Sequence, residues 1–228
     1  MPISRTPLNP SHLFESFVVC ATNEAAFAAA ADAVVNPLCL YGRTGSGKSH
    51  LLHAIANELR ARRPASDVLL VSASALNHAS WGRHYADHAP AVQAELAQAD
   101  AVLVDDAVPE WFGPETMARI ARLLRHAVQH GVRVVVASPF AAPLLDGAAV
   151  AEVGYPDEPS RIELAGRIAT SLGMTLPPEI VREVASRLSG SPRELQSVLA
   201  TMAAELAVAS ETIELEHLAY AATRRYRV

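Results

Sequence analysis

The sequence is poor in cysteine and in long apolar runs, and it carries no excess of basic residues. Cys20 and Cys39 are the only two cysteines in 228 residues, both in or near apolar segments. Two such residues are expected as buried thiols, not as a disulfide framework or a metal cage. No apolar run approaches the ~20 residues that cross a bilayer. The N-terminus also lacks the basic-then-apolar signature of a signal peptide. A cytoplasmic protein without membrane contact is the expectation. The formal net charge is -5, and strong nonspecific binding of nucleic acid needs clustered Lys and Arg to displace phosphate counterions. No internal repeat is visible. With half of its residues hydrophobic, the chain can bury a substantial core, as one large domain or a main domain with a small companion.

What is present is a glycine-rich loop between a strand and a helix. The apolar run Leu38-Cys39-Leu40-Tyr41 leads into Gly42-Arg43-Thr44-Gly45-Ser46-Gly47-Lys48-Ser49, and Lys48 and Ser49 open an apolar-periodic segment from His50 to Ala56. This is a P-loop in the context the motif requires. Backbone N–H groups must wrap a polyphosphate, so side chains at Gly42, Gly45 or Gly47 would block its approach or forbid the loop's dihedrals. Lys48 supplies a cation to the β- and γ-phosphates, and the Ser49 hydroxyl can ligate magnesium. The positive end of the following helix adds to the same site.

The rest of the chain alternates. Met1 to Pro10 holds three prolines and reads as an extended lead-in. Thr22-Asn23-Glu24 starts an alanine-rich helix that runs to Val35 and is ended by Asn36-Pro37. The P-loop helix continues to about Arg63, before Pro64. Val68 to Ser72 is a strand of the kind buried on both faces of a parallel sheet. Residues 73–99 are mostly helical, broken near Gly82 and Pro90. Ala101 to Asp106 is a strand ending in two carboxylates. A helix from Pro114 to Val128 is closed by His130-Gly131, and Val132 to Ala137 is a further strand closing at Ser138-Pro139. Such alternation implies an open parallel sheet. Residues 141–159 read as a connection. Helices are then expected at Ser160 to Leu172, Pro178 to Leu188, Pro192 to about Val208, and Glu214 to Arg224. The expected division is an α/β nucleotide-binding domain over 1–155 and a small helical lid over 156–228.

Ligands of a parallel sheet lie beyond the carboxyl ends of its strands. There Asp105 would hold magnesium, directly or through water, and Asp106 would orient or deprotonate an attacking water. The plainer alternative is that the pair marks a strand end. Arg193, in Gly190-Ser191-Pro192-Arg193-Glu194-Leu195, begins a lid helix; there it would reach a γ-phosphate and report the bound nucleotide, or else be a surface residue. His50 and His53 on the P-loop helix are not expected to ligate metal. His84 and His88, near Trp81 and Tyr85, have zinc-compatible spacing but no third ligand, which favours a solvated or partner-facing helix. Trp111-Phe112 is either an exposed aromatic contact or core. The basic tail Arg224-Arg225-Tyr226-Arg227 reads as solvated.

Leu8-Asn9-Pro10, Phe14, Phe17-Val18-Val19 and Asn23, then Asn36-Pro37-Leu38, the loop, and Ser49 to Ile55 resemble the AAA+ ATPase domain of the bacterial replication initiator DnaA. Val104-Asp105-Asp106 and Pro192-Arg193-Glu194-Leu195 resemble its Walker B and sensor 2 motifs. The resemblance implies an AAA+ core with a helical lid, ATP or ADP with Mg2+ at the P-loop, and adenine packed near Leu8 to Val19. Leu8, Asn9, Pro10, Thr44, Ser46 and His50 would then join Gly42, Gly45, Gly47, Lys48, Ser49 and Arg193 as nucleotide contacts. It implies DnaA or another replication AAA+ protein as partner, and allows a homo-oligomer.

The departures from the family pattern are specific. DnaA continues into a helix-turn-helix domain that is not expected after Val228. The size is similar to that of Hda, the short relative, but the clamp-binding segment of Hda is not matched in Met1 to Pro7. Between Arg133 and Arg161 there is no Arg or Lys to serve as the family's arginine finger, which leaves Arg161 as its substitute. Pro139 stands where sensor 1 has a polar residue. Val92 to Asp100, with Glu95 and Asp100, has none of the basic character of the family's single-stranded-DNA surface, so DNA contact is expected to be weak or indirect. Three readings follow: a nucleotide-dependent switch in replication initiation with slow hydrolysis, a non-hydrolysing adaptor, and a helicase loader of the DnaC or transposon-helper type.

Overall fold

The computed structural model describes residues 3–80, 85–141, 143–188 and 190–208. The break near Gly82, the His84–His88 pair with Trp81, the helix from Glu214 to Arg224 and the basic tail lie outside the described residues or side chains. The described residues divide into two compact units. One comprises Met1–Phe17, Glu24–Arg43 and Lys48–Val153; the other comprises Val18–Asn23, Thr44–Gly47 and Gly154–Val228.

The first unit is built on a five-stranded parallel sheet of β1 (Leu38–Tyr41), β2 (Val68–Ser72), β3 (Ala101–Asp105), β4 (Arg133–Ser138) and β5 (Ala149–Glu152), in the order β2-β3-β4-β1-β5. Strand alternation sorts the apolar residues to two faces. Leu69, Val71, Val102, Val104, Val134 and Val136 join one core with α3 (Ala73–Ser80), α4 (Tyr85–Gln98) and α5 (Pro109–Gln129). Leu38, Leu40, Leu70, Leu103, Val135 and Ala137 join a second core with α1 (Glu24–Ala31) and α2 (Lys48–Arg62). The central strands are therefore apolar on both faces, as their unbroken hydrophobic runs require.

Four expectations are corrected. α1 ends at Ala31 instead of Val35, because the Arg133 guanidinium donates to the carbonyls of Ala30 at 2.6 Å and Asp32 at 3.1 Å, and the Asp32 carboxylate accepts from Val34 N at 2.8 Å. These bonds satisfy the helix end early. Pro90 does not break the chain but sits inside α4, in its second turn, where it forfeits one backbone bond. α5 begins at Pro109 and kinks at Gly113 (φ 72°, ψ 166°), so Pro114 opens its second segment. Residues 141–159 contain β5, paired in parallel with β1 from Leu38↔Ala149 to Tyr41↔Glu152. Within β5 only Ala151 is buried, so this short edge strand has no hydrophobic run to announce it.

In the second unit α6 (Glu158–Ser171), α7 (Pro178–Arg187) and α8 (Pro192–Val208) share a separate core of Ala165, Ile180, Val184, Leu195, Leu199 and Met202. Asp157 caps α6 by accepting from Ser160 N at 3.0 Å. Gly173 closes it in the left-handed region (φ 75°), with Met174 N bonded to Ala169 O at 2.9 Å, a Schellman ending. Among the described residues no helix is long and apolar enough to cross a membrane. Cys39 is buried, Cys20 half-buried, and both are free thiols; burial pushes the Cys39 thiol pKa up.

Candidate nucleotide-binding site

β1 delivers the chain to Gly42 at the carboxyl edge of the sheet, and α2 starts at Lys48. Gly42, Gly45 and Gly47 have φ of 151°, 78° and 113°, dihedrals that side-chain-bearing residues rarely adopt. Lys48 Nζ donates to the carbonyls of Gly42 at 2.7 Å and Arg43 at 3.0 Å, which folds the cation onto the loop. Lys48 is the only lysine in the chain; the other eighteen Lys and Arg residues are arginine. Ser46 is buried, and its hydroxyl has no hydrogen-bond partner. An orphaned hydroxyl in a loop of positive-φ glycines fits an anionic group with several acceptor oxygens.

The carboxylates stand at the same edge. Asp105 ends β3, and Asp106 follows it with φ 53°, its N–H donating to Asp105 Oδ1 at 2.9 Å. Aspartate is among the few residues that tolerate this conformation. β4 lies between β3 and β1, with Ser138 in register with Tyr41, so Asp105 and the start of the loop are two strand spacings apart, roughly 10 Å. Ser138 is buried, and its hydroxyl accepts from Phe140 N at 3.2 Å. Of the aromatic pair, Trp111 is 70% exposed and Phe112 packs against the first core. Glu95 and Asp100 are structural: Glu95 accepts from Ile3 N at 3.2 Å, and Asp100 accepts from Asp67 N at 2.8 Å and pairs with Arg63.

Within the second unit, Ser191 caps α8 by accepting from Glu194 N at 3.2 Å, with Pro192 at the first helical position. The Glu194 carboxylate fills the space a Cβ on Gly190 would need. Serine, proline and glutamate at this spacing follow the capping-box pattern, whose serine half is the bond from Glu194 N. It sets Arg193 so that a Cβ built on Gly45 would lie 3.0 Å from Arg193 Cβ and 2.8 Å from Ser191 Oγ. The loop tip and the arginine are thus immediate neighbours. Arg161 is held differently: it donates to the carbonyls of Ala185 at 3.2 Å and Pro156 at 3.0 Å, as an internal strut of its helical unit.

The sequence model of the bacterial DnaA ATPase domain matches residues 8–143. The chain belongs to this family. The DnaA of Thermomicrobium roseum is 30% identical over 210 residues, which are 84% of this chain and 45% of that protein. Domain III of the Thermotoga maritima DnaA superposes with a TM-score of 0.84 at 22% identity, covering 97% of this chain and 99% of that one. A replication initiator DnaA bound to AMPPCP and single-stranded DNA gives 0.71 at 22% identity, over 86% of this chain and 65% of that one. The fold is that of an AAA+ P-loop NTPase. The chain spans under half the length of the curated DnaA relatives it matches.

In this DnaA-family chain the segment around Leu8, Asn9 and Pro10 is fastened to α2. Asn9 N donates to His53 Nδ1 at 3.1 Å, and Asn57 Nδ2 donates to the carbonyls of Asn9 and His12 at 2.9 Å each. His12 stacks on His50 with ring centroids 4.5 Å apart and meets His53 edge-on at 5.2 Å. His50 Nε2 bonds the Leu13 carbonyl at 2.9 Å. Leu8 packs against the second core, and Pro10 is exposed. Burial, with His50 and His53 close by, lowers the His12 pKa to about 4. Burial also lowers His50 and His53, offset in part by the Leu13 carbonyl and by Asp105 respectively. Sequence reasoning missed His12, Asn57, Thr22 and Tyr155. His12, Asn57 and Tyr155 lie in no local motif and Thr22 only in the helix start, and the bonds that fasten them join residues 45 to 133 positions apart.

Proposed function

We propose that this chain binds ATP and ADP with magnesium and acts as a nucleotide-dependent switch in replication initiation, with slow hydrolysis. The observation that carries the reading is the loop itself: three left-handed or extended glycines, a buried unpartnered Ser46 hydroxyl and the chain's only lysine folded over the loop carbonyls. Gly42, Thr44, Gly45, Ser46 and Gly47 offer backbone N–H groups to the phosphates, and Lys48 adds the cation. Ser49 and Asp105 would hold magnesium, which takes few protein ligands and completes its shell with phosphate oxygens and water. Bound there, the metal would neutralise charge on the phosphate oxygens. Asp106 orients or deprotonates water, the Leu8-Asn9-Pro10 strap and His50 flank the base, and Arg193 senses the γ-phosphate. In this reading residues 1–155 are the nucleotide-binding domain and 156–228 the lid. The partner is DnaA or another replication AAA+ protein, or a second copy of this chain, in the cytoplasm, with DNA contact weak or indirect.

Titration of the purified protein with ATP and ADP tests the reading. Lys48→Ala should weaken binding by about tenfold or more, the range of a lost charge-assisted bond. Because Lys48 shares amine reactivity only with the N-terminus, acylation by an amine-directed reagent should modify it, block binding, and be slowed by nucleotide. Absence of binding, or an unchanged Kd in Lys48→Ala, would overturn the proposal. A non-hydrolysing adaptor is the second reading, supported by the Arg161 bonds to backbone carbonyls and by Pro139 in place of a polar sensor. Partner-stimulated phosphate release that disappears in Asp106→Asn would exclude it. A helicase loader would show steeply salt-dependent binding of single-stranded DNA.

A further inference from the structure

The second unit unites three stretches remote in sequence: residues 18–23, the loop tip 44–47, and the described residues from 154 to 208. One cluster of hydrogen bonds joins them. The Tyr155 hydroxyl donates to the Thr44 carbonyl at 2.7 Å. The Thr22 hydroxyl donates to the Tyr155 carbonyl at 2.7 Å, and Gly154 N donates to the Thr22 carbonyl at 2.9 Å. Thr22 therefore grips the Gly154–Tyr155 backbone from both sides. The grip is close: a Cβ on Gly154 would stand 2.7 Å from both Thr22 Cβ and Thr22 O. Thr22 is itself braced, its hydroxyl 3.1 Å from Cys20 Sγ, in a turn where Asn23, 3% exposed, accepts from Cys20 N at 2.9 Å and donates to Val18 O at 3.2 Å.

We propose that Tyr155 is a positioning residue for the phosphate-binding loop, held in place by Thr22; the inference rests on the nucleotide-binding reading of that loop. The peptide between Thr44 and Gly45 is trans, and in a trans peptide the C=O and N–H point in opposite directions. A phenol that fixes the Thr44 carbonyl on one side therefore fixes the Gly45 N–H on the other. That N–H is one of the donors the loop offers to phosphate. Glycine at 45 leaves φ on its side of that peptide without a side chain to restrict it. Tyr155 thus supplies from outside the loop an orientation that the loop's own sequence leaves open. The same bonds run on to the segment 18–23. Occupancy of the loop and the order of these two stretches then rise and fall together.

The test is Tyr155→Phe, which deletes only the hydroxyl. With a fluorescent ATP analogue and with ADP, the Kd should rise roughly three- to tenfold, the range of one net hydrogen bond. The melting temperature of the nucleotide-free protein should stay at the wild-type value, and amide exchange of the loop peptides should quicken while that of β3 and β4 does not. Thr22→Val should shift the Kd the same way, and the double variant should fall short of the product of the two effects. If Tyr155→Phe fails to fold, Thr22→Val with an unchanged Kd and unchanged loop exchange overturns the inference. So does a wild-type Kd in Tyr155→Phe, or a variant whose only defect is a lowered melting temperature. In each of these cases wild-type binding leaves the nucleotide reading standing, whereas a wild-type protein that binds no nucleotide overturns that reading and the inference with it.

Discussion

Single glycines show how the surroundings of a residue decide its role. Gly45 and Gly131 have nearly the same φ, 78° and 79°. Around Gly131 a Cβ would meet nothing within 4 Å, whereas at Gly45 it would press on Ser191 Oγ, Ser191 Cβ and Arg193 Cβ at 2.8 to 3.0 Å. Gly131→Ala should therefore cost only the left-handed backbone penalty, about 1 kcal/mol, and leave nucleotide affinity unchanged. Gly45→Ala carries the same penalty and also displaces either the loop tip or the start of α8. Its stability loss should be larger, about 2 kcal/mol, and nucleotide affinity should fall at least tenfold. Thermal unfolding and ATP titration of the two variants side by side check this. Equal affinity in both would show that the close approach at Gly45 has no bearing on binding.

At the level of elements, α8 owes its start to the Ser191 hydroxyl, which accepts from Glu194 N, with Pro192 in the first turn. Ser191→Ala removes the acceptor of Glu194 N and should destabilise the protein by about 1 kcal/mol, read as a lower denaturant midpoint with the m-value unchanged. Elements whose signals are local in this way were legible in the sequence: α2 behind its loop, the apolar strands β2 and β3, and α7 and α8 behind their prolines. The candidate site was legible for the same reason, since Gly42 to Ser49, Asp105-Asp106 and Arg193 each sit in a short motif. The rest depends on distant residues. Arg133 ends α1 from about a hundred residues away. β5 is a strand only because β1 offers it an edge, its sequence Ala-Val-Ala-Glu carrying one buried side chain. Gly113 divides α5 through a backbone conformation that glycine permits but does not impose.

For the molecule as a whole, the histidines on α2 and its strap set how stability responds to acid. His53 Nδ1 accepts from Asn9 N, a bond available only while that nitrogen is unprotonated. His50 Nε2 faces the Leu13 carbonyl, and His12 lies between the two rings. The folded protein thus resists protonation at three sites that the unfolded chain protonates near the ordinary histidine value of 6.5. Since the unfolded state then binds more protons, stability rises with pH through this window. It should be level above about pH 7, fall as pH drops through 6.5, and continue falling until His12 titrates in the fold at about 4. Asp105 limits the loss, because its charge favours protonation of His53. Denaturant unfolding at intervals from pH 7.5 to 5 measures the slope as net proton uptake. His12→Phe keeps an aromatic ring against His50 without a titrating nitrogen, so its slope at pH 5 should be smaller by up to about one proton. An equal slope in the variant would show that the strap already opens before the protein unfolds. In that case the segment Leu8 to Phe17 would detach from α2 in mild acid, and nucleotide affinity should weaken over the same pH range in wild type and variant alike.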